Sequence, residues 1–318
     1  MSGTMTRLIG ARLGTMILTL AVVSLVVFVI TEMLPGDVAE IVLGQSATPE
    51  AVAGLREAMN LDQPAPVRYL LWLEGLLTGD PGVSLVNNIP VAELIGGRFG
   101  NSLLLASVTA LFSVPIALTL GITSAMWRGT IYDRAVSLFT ISVVSVPEFL
   151  IATLAVLIFS VHLRWLPALS FANDVSSLGE LLRVFALPVI SLSFVISAQM
   201  IRMTRAAVID TLASPYVEMA RLKGAGTMRL VLLHALPNAI GPIANAVALS
   251  LSYLLGGVII IETIFNYPGL AKLMVDGVAT RDMPLIQACA MIFCTAFLLL
   301  VTLADICAIV SNPRLRHK

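Results

Sequence analysis

Residues Asp210–Pro242 read DTLASPYVEMARLKGAGTMRLVLLHALPNAIGP. The stretch lies between two strongly apolar runs, yet it carries Asp210, Glu218, Arg221, Lys223 and Arg229. A charge placed in hydrocarbon costs about 3 kcal/mol or more. The segment must therefore loop out on one side of a membrane, and the flanking runs must cross it. That sets the fold class as an all-α polytopic membrane protein.

The loop has its own helix punctuation. Ser214 suits an N-cap, Pro215 suits the first helical position, and Gly224 can adopt the left-handed stop. Arg221 and Lys223 fall in the last turn, where the helix dipole favours cations. The result is a helix of roughly nine residues, about 13 Å long. Tyr216, Met219 and Ala220 share one of its faces, and small Ala220 allows close approach of another surface. Gly226 and Thr227 permit a turn and a new N-cap, with the next helix starting near Met228. On physical grounds such a helix either rests on lipid headgroups as a connector or is offered to a partner.

Composition agrees with a membrane class. The chain has 318 residues, 58% hydrophobic and 12% charged, with a mean hydropathy of +0.96. Formal net charge is zero, which leaves no basic footprint for nucleic acid. Cys289, Cys294 and Cys307 all lie in one apolar run, which argues against a disulfide framework and for small buried hydrophobes. His162, His234 and His317 are scattered and form no metal spacing.

Taken in order, residues 1–31 form a first span. Arg7 and Arg12 precede the apolar run Leu13–Ile30, which is longer than a secretory signal core and lacks a small-residue cleavage site. Residues 32–98 form a small extracytoplasmic segment, with six prolines and nine carboxylates. Within it, Thr48-Pro49-Glu50 starts a helix running to about Met59, and a second amphipathic helix covers Val67–Leu77. Leu55, Tyr69, Leu70, Trp72 and Leu73 argue against a disordered loop. Residues 99–311 hold five further spans, near Ser102–Met126, Ala135–Val161, Val184–Ile201, Ala239–Ile261 and Pro284–Val310. The loop at about 207–230 lies among them, and 312–318 form a tail. Pro115, Pro147, Pro188, Pro237 and Pro242 fall in or beside spans, where proline marks bends.

Six spans put both termini on one side. With the N-terminus in the cytoplasm, the inner segments hold Arg7, Arg12, Arg128, Arg134, Arg202, Arg205, Arg221, Lys223, Arg229, Arg314, Arg316 and Lys318 against few acids. The outer segments carry an excess of carboxylates. This asymmetry follows the positive-inside rule and places the Asp210–Pro242 loop in the cytoplasm.

The same loop carries a resemblance. Glu218-Met219-Ala220, three residues, Gly224, nine residues, His234, one residue and Leu236-Pro237 resembles the loop signature of membrane subunits of ATP-binding-cassette (ABC) importers. In that family the pattern is Glu-Ala-Ala, Gly, Ile and Leu-Pro at the same spacing. Met219 replaces Ala and His234 replaces Ile, and the histidine is similar to the peptide-permease branch. Elsewhere, Leu34-Pro35-Gly36-Asp37, Leu61-Asp62-Gln63-Pro64, Arg68-Tyr69, Trp72-Leu73, Gly79-Asp80, Gly82, Ser84 and Pro90-Val91 resemble the dipeptide/oligopeptide/nickel permease family. So do Glu262-Thr263-Ile264-Phe265, Pro268-Gly269-Leu270, Arg281-Asp282, Pro284 and Asn312-Pro313-Arg314-Leu315-Arg316. Pro81 stands where Leu is usual and Asn312 where Asp is usual. The resemblance covers nearly the whole chain and is strongest to the first, B-type, permease subunit of such systems.

The resemblance implies a type I ABC importer permease fold in the bacterial inner membrane. It implies a coupling helix, comprising Tyr216, Glu218, Met219, Ala220, Lys223 and Gly224, that docks into an ATPase. His234, Leu236 and Pro237 would continue the loop. The implied partners are a second homologous permease, two cytoplasmic ATPases, an extracytoplasmic solute-binding protein delivering peptides or similar solutes, and the lipid bilayer.

The chain contains no GxxxxGK[ST] phosphate loop, so ATP and Mg would sit on partner subunits and this chain would bind no cofactor. Glu148, beside Pro147 near the middle of the third span, is either a pathway contact for a substrate amine or a carboxylate, or its neutral acid, bonded to groups the proline frees. Asp305 points to an inter-helix contact, and Glu262 to packing or an external-loop contact. Gly121, Gly256, Gly257, Ser250 and Ser252 permit close helix approach. A stand-alone secondary transporter or channel is the alternative, but it needs ionisable pairs deep in several spans, and only Glu148 qualifies. An intramembrane hydrolase would need a nucleophile beside a base, and neither His162 nor His234 lies deep enough to serve.

Overall fold

A computed structural model describes residues 3–33, 38–44, 47–58, 62–170 and 177–311. The Leu34–Asp37 motif, Met59 as a helix end, Leu61 and the 312–318 tail lie outside the described residues. The described chain is helical apart from turns and one isolated antiparallel bridge between Val83 and Pro90. In order, the helices are α1 (Gly3–Glu32), α2 (Val38–Leu43), α3 (Pro49–Ala58), α4 (Ala65–Thr78), α5 (Val91–Met126), α6 (Ile131–Val144) and α7 (Glu148–Ala155). They continue as α8 (Leu178–Leu212), α9 (Pro215–Leu222), α10 (Thr227–Arg229), α11 (Leu236–Ile264), α12 (Leu270–Thr280) and α13 (Met283–Ser311). Two π-helical turns, Val156–His162 and Leu230–Ala235, extend α7 and join α10 to α11.

Among the described residues, five helices are long and apolar enough to cross a bilayer: α1, α5, α8, the continuous run Thr227–Ile264, and α13. Four of the expected spans are thus single helices, lengthened at their ends, and the run through α10 and α11 takes in part of the charged loop. The third expected span is different. Its two halves, Ile131–Val144 and Glu148–His162, bend by 98° at the break, and only as a bent pair do they make a sixth crossing. The cause is Pro147, which lacks the N–H that would continue the helix and disfavours helical backbone at Val146. Pro147 itself is extended, with φ −59° and ψ 139°. Pro115, Pro188 and Pro242 by contrast sit inside continuous helices.

The chain packs as two compact units. The first comprises Met1–Met16, Leu103–Tyr267 and Ala296–Lys318. Its longest packed pair is α8 against α11, and α6 and α7 also lie on α8. Buried Ala125, Val208, Val231, Ala239 and Ile243 knit α5, α8, the second π turn and α11 into one apolar cluster. Gly121 lets α5 touch α8: a Cβ there would sit 2.8 Å from Thr204 Cβ and 3.0 Å from the Ile201 carbonyl oxygen. Gly256, read as a second such contact, has nothing within 4 Å of its would-be Cβ. Asp305 makes its inter-helix contact with Arg12, at 3.2 Å. Glu262 is fully buried at the end of α11, beside Tyr267.

The second unit comprises Ile17–Ser102 and Pro268–Thr295. Its core is Val91, Ile95, Leu270, Leu273, Leu285, Ala288 and Cys289. α4 docks on α1 through Phe28, Tyr69 and Trp72, and Tyr69 Oη lies 2.9 Å from Ser24 Oγ. The loop before α5 is pinned by buried Asp282, whose carboxylate accepts from Ser84 Oγ and from the Leu85 N–H at 3.2 Å. Thr48 Oγ1 accepts from Ala51 N at the start of α3, as its capping position requires. The three cysteines are free, but only Cys289 is buried and Cys307 is exposed. Lipid solvates a thiol as readily as a core does, so composition could not separate the two.

Candidate docking site and membrane carboxylate

The reversal out of α8 takes two residues. Ala213 N donates to Ile209 O at 3.1 Å and Ser214 N donates to Thr211 O at 3.1 Å. Ser214 occupies the N-cap of α9 with extended backbone, but its hydroxyl makes no cap. It donates back to the Thr211 carbonyl instead, because the last carbonyls of α8 are themselves unpaired acceptors.

The other end of α9 is a complete stop. Gly224 has φ +84°. Its N–H donates to Arg221 O at 2.9 Å, while Ala225 N donates to Ala220 O at 3.2 Å. These two bonds are the Schellman pair, which requires a left-handed residue after the helix. The helix is thus held to eight residues and released into Gly226, which caps α10 in place of the expected Thr227.

Val217 is fully buried and anchors α9 to the unit. Tyr216, Met219 and Leu222 are exposed at 46%, 56% and 76%, and they recur at every third residue along one outward row. Leu222 was absent from the sequence reading, although its three-residue spacing from Met219 carries the signal. Ala220 is half-buried at the flank toward Val217 rather than on the outward face. Glu218, Arg221 and Lys223 are exposed.

His234 and Leu236 are half-buried, and Pro237 is exposed at the start of α11. Pro237 cannot donate to the carbonyl four residues back, and its ring crowds that carbonyl. The preceding Leu230–Ala235 turn widens to a π-helix, which relieves the clash. The signature's Leu-Pro step therefore sets the register in which α11 leaves the loop.

Glu148 is remote from α9 in sequence and begins α7 just after the 98° break. It is half-buried, and it lies against α11: a Cβ on Gly257 would meet Glu148 Oε2 at 3.0 Å and Leu192 Cδ2 at 3.2 Å. Gly257 thus makes room for the carboxylate. Among the described residues no hydrogen bond or ion pair holds that carboxylate. The expected alternative, bonding to groups freed by Pro147, is not what its side chain does.

Long apolar helices, a span broken at a proline beside an unpaired carboxylate, and a short stopped helix between two spans define a polytopic membrane protein. Residues 117–317 match the family described as "Binding-protein-dependent transport system inner membrane component", and residues 5–106 match its N-terminal region; the chain belongs to this family. It is similar to the glutathione transport system permease protein GsiC of Escherichia coli (strain K12), at 35% identity over 307 residues, covering 96% of this chain and 98% of that one. GsiC of Salmonella typhimurium (strain LT2) matches at the same identity and coverage. A probable peptide ABC transporter permease protein, y4tP of Sinorhizobium fredii, is 32% identical over 306 residues, covering 96% and 98%. The chain is a multi-pass permease subunit of an ABC importer, which decides against the stand-alone transporter or channel.

Proposed function

We propose that this permease forms a translocation pathway together with a second, homologous permease, and that two separate ATPases drive it by docking on α9. A solute-binding protein would deliver the cargo at the opposite face of the bacterial inner membrane, with both termini of this chain cytoplasmic. ATP and Mg would be bound by the ATPases. The cargo class is peptide-like: two of the relatives are named for glutathione and one for peptides. Glu148 serves as the pathway contact for a cationic amino group of that cargo. An ionised carboxylate without a partner is costly in an apolar region, and a visiting cationic group relieves that cost.

The observation that carries this reading is the outward row Tyr216, Met219 and Leu222 on a helix stopped at Gly224. An apolar row on a polar loop is the feature a groove-binding partner requires. The test is co-purification of the ATPases with the tagged complex, alongside solute uptake. Glu218→Lys reverses a charge beside the row and is expected to lower ATPase recovery. Gly224→Val forces a β-branched residue toward positive φ, at a cost of about 1–3 kcal/mol, and is expected to abolish uptake with membrane insertion intact. Full ATPase recovery in the first variant together with normal uptake in the second would reject the docking role.

A further inference from the structure

A second charged feature lies in the first unit, away from α9 and from Glu148. Asp133, in the first turn of α6, is only 4% exposed. Its carboxylate accepts four hydrogen bonds: Arg205 Nε at 2.7 Å, Arg205 Nη2 at 2.9 Å, Ser124 Oγ at 2.6 Å and Gly129 N at 2.9 Å. These donors belong to three places. Ser124 is in the last turn of α5, Gly129 is in the turn joining α5 to α6, and Arg205 is on α8. A bidentate guanidinium–carboxylate pair is stiff in direction as well as strong, because two parallel bonds resist rotation.

The surroundings make this pair a mechanical joint. The α5–α6 turn is braced internally, with Tyr132 Oη 2.8 Å from Thr123 Oγ1 and the Trp127 and Tyr132 rings 5.7 Å apart. One turn of α8 also presses Thr204 and the Ile201 carbonyl against Gly121 of α5. Arg205 therefore grips the turn at the same level where α8 touches α5. From Arg205, α8 runs on for about 10 Å to its end at Leu212. After two intervening residues α9 begins. In the other direction α6 leads from Asp133 to the 98° break and Glu148.

We propose that the Arg205–Asp133 pair is the strut through which displacement of α9 reaches α6 and the proline break. The proposal rests on the docking role of α9 argued above. Arg205 and Asp133 are positioning residues: they touch neither cargo nor nucleotide, and they act by making α8 and the α5–α6 turn move as one body. Motion entering at α9 would otherwise spend itself in sliding α8 past α6.

The test uses the complete importer, with binding protein and ATPases, reconstituted in liposomes. Transport per ATP hydrolysed is measured together with subunit recovery and ATPase rate. Asp133→Asn and Arg205→Gln each remove half of the pair. Both are expected to assemble and hydrolyse ATP while transport per ATP falls about fivefold or more, the range of ordinary coupling between sites. The double variant is expected to lose no more than either single, since the two residues act as one unit. Arg205→Lys keeps the charge but not the fork, and it is expected to fall between wild type and Arg205→Gln.

Unchanged transport per ATP in the single variants would overturn the strut, as would additive losses in the double. Loss of assembly in every variant, Arg205→Lys included, would also overturn it by showing a purely structural pair. If the wild-type chain recovers no ATPase at all, the docking reading fails and not merely the strut.

Discussion

At the scale of single residues, the proposed function rests mostly on two positions. Gly224 is needed because the Schellman stop of α9 demands positive φ. Glu148 is notable because nothing in its own chain neutralises it among the described residues. A charge-assisted hydrogen bond to a cargo ammonium is worth about 1.5–3 kcal/mol, so Glu148→Gln is expected to weaken uptake of a free-amine cargo by about tenfold or more. The same variant should leave uptake of an N-acetylated analogue unchanged relative to wild type. Competition kinetics in the reconstituted importer measure both. Equal effects on the two cargoes would remove the amine from the proposal. Beside it, Gly257 gives room that any side chain would take from the carboxylate. The role of Glu148 was left open by the sequence because one residue number does not say what stands opposite.

At the scale of elements, close packing of α5 on α8 depends on Gly121. A methyl group there would lie inside contact distance of a β-branched side chain and a backbone oxygen, neither of which moves freely. Overpacking of this kind costs about 1–3 kcal/mol. Gly121→Ala is expected to lower the unfolding temperature of the detergent-purified chain. Gly256→Ala, with open space around it, is expected to leave that temperature unchanged or raise it, because alanine favours helix by about 1 kcal/mol over glycine. Equal unfolding temperatures for the two variants would contradict this account of the crossing. Both glycines looked alike in the sequence. The prolines likewise looked alike, yet Pro147 breaks a span while Pro115, Pro188 and Pro242 do not. At Pro147 the two flanking halves pack differently: α6 lies on α8, while α7 lies on both α8 and α11.

At the scale of the whole molecule, the docking proposal requires α9 to face the cytoplasm and the α4 region to face outward. The three native cysteines are first replaced by alanine. Met219→Cys, exposed on α9, is then expected to react with a membrane-impermeant maleimide only after cells are permeabilised. Leu77→Cys, exposed at the end of α4, is expected to react in intact cells. The reverse pattern would place the docking helix out of reach of any cytoplasmic ATPase. The basis for the expectation is the count of arginines and lysines on alternate loops, which is a property of the chain read end to end.

The amino-acid sequence by itself determined five of the six expected spans, the bounds of α9, the helices after the first span and the family. All of these depend on local matters: run length against bilayer thickness, proline and glycine as stops, and fixed spacing within one loop. The tertiary structure alone decided which distant groups meet. Arg205 finds Asp133 across 72 residues, Ser84 finds Asp282 across 198, and Glu148 comes to rest against Gly257. Helices apolar on every side carry no stripe to say which face turns inward, so such meetings follow only from how the helices pack.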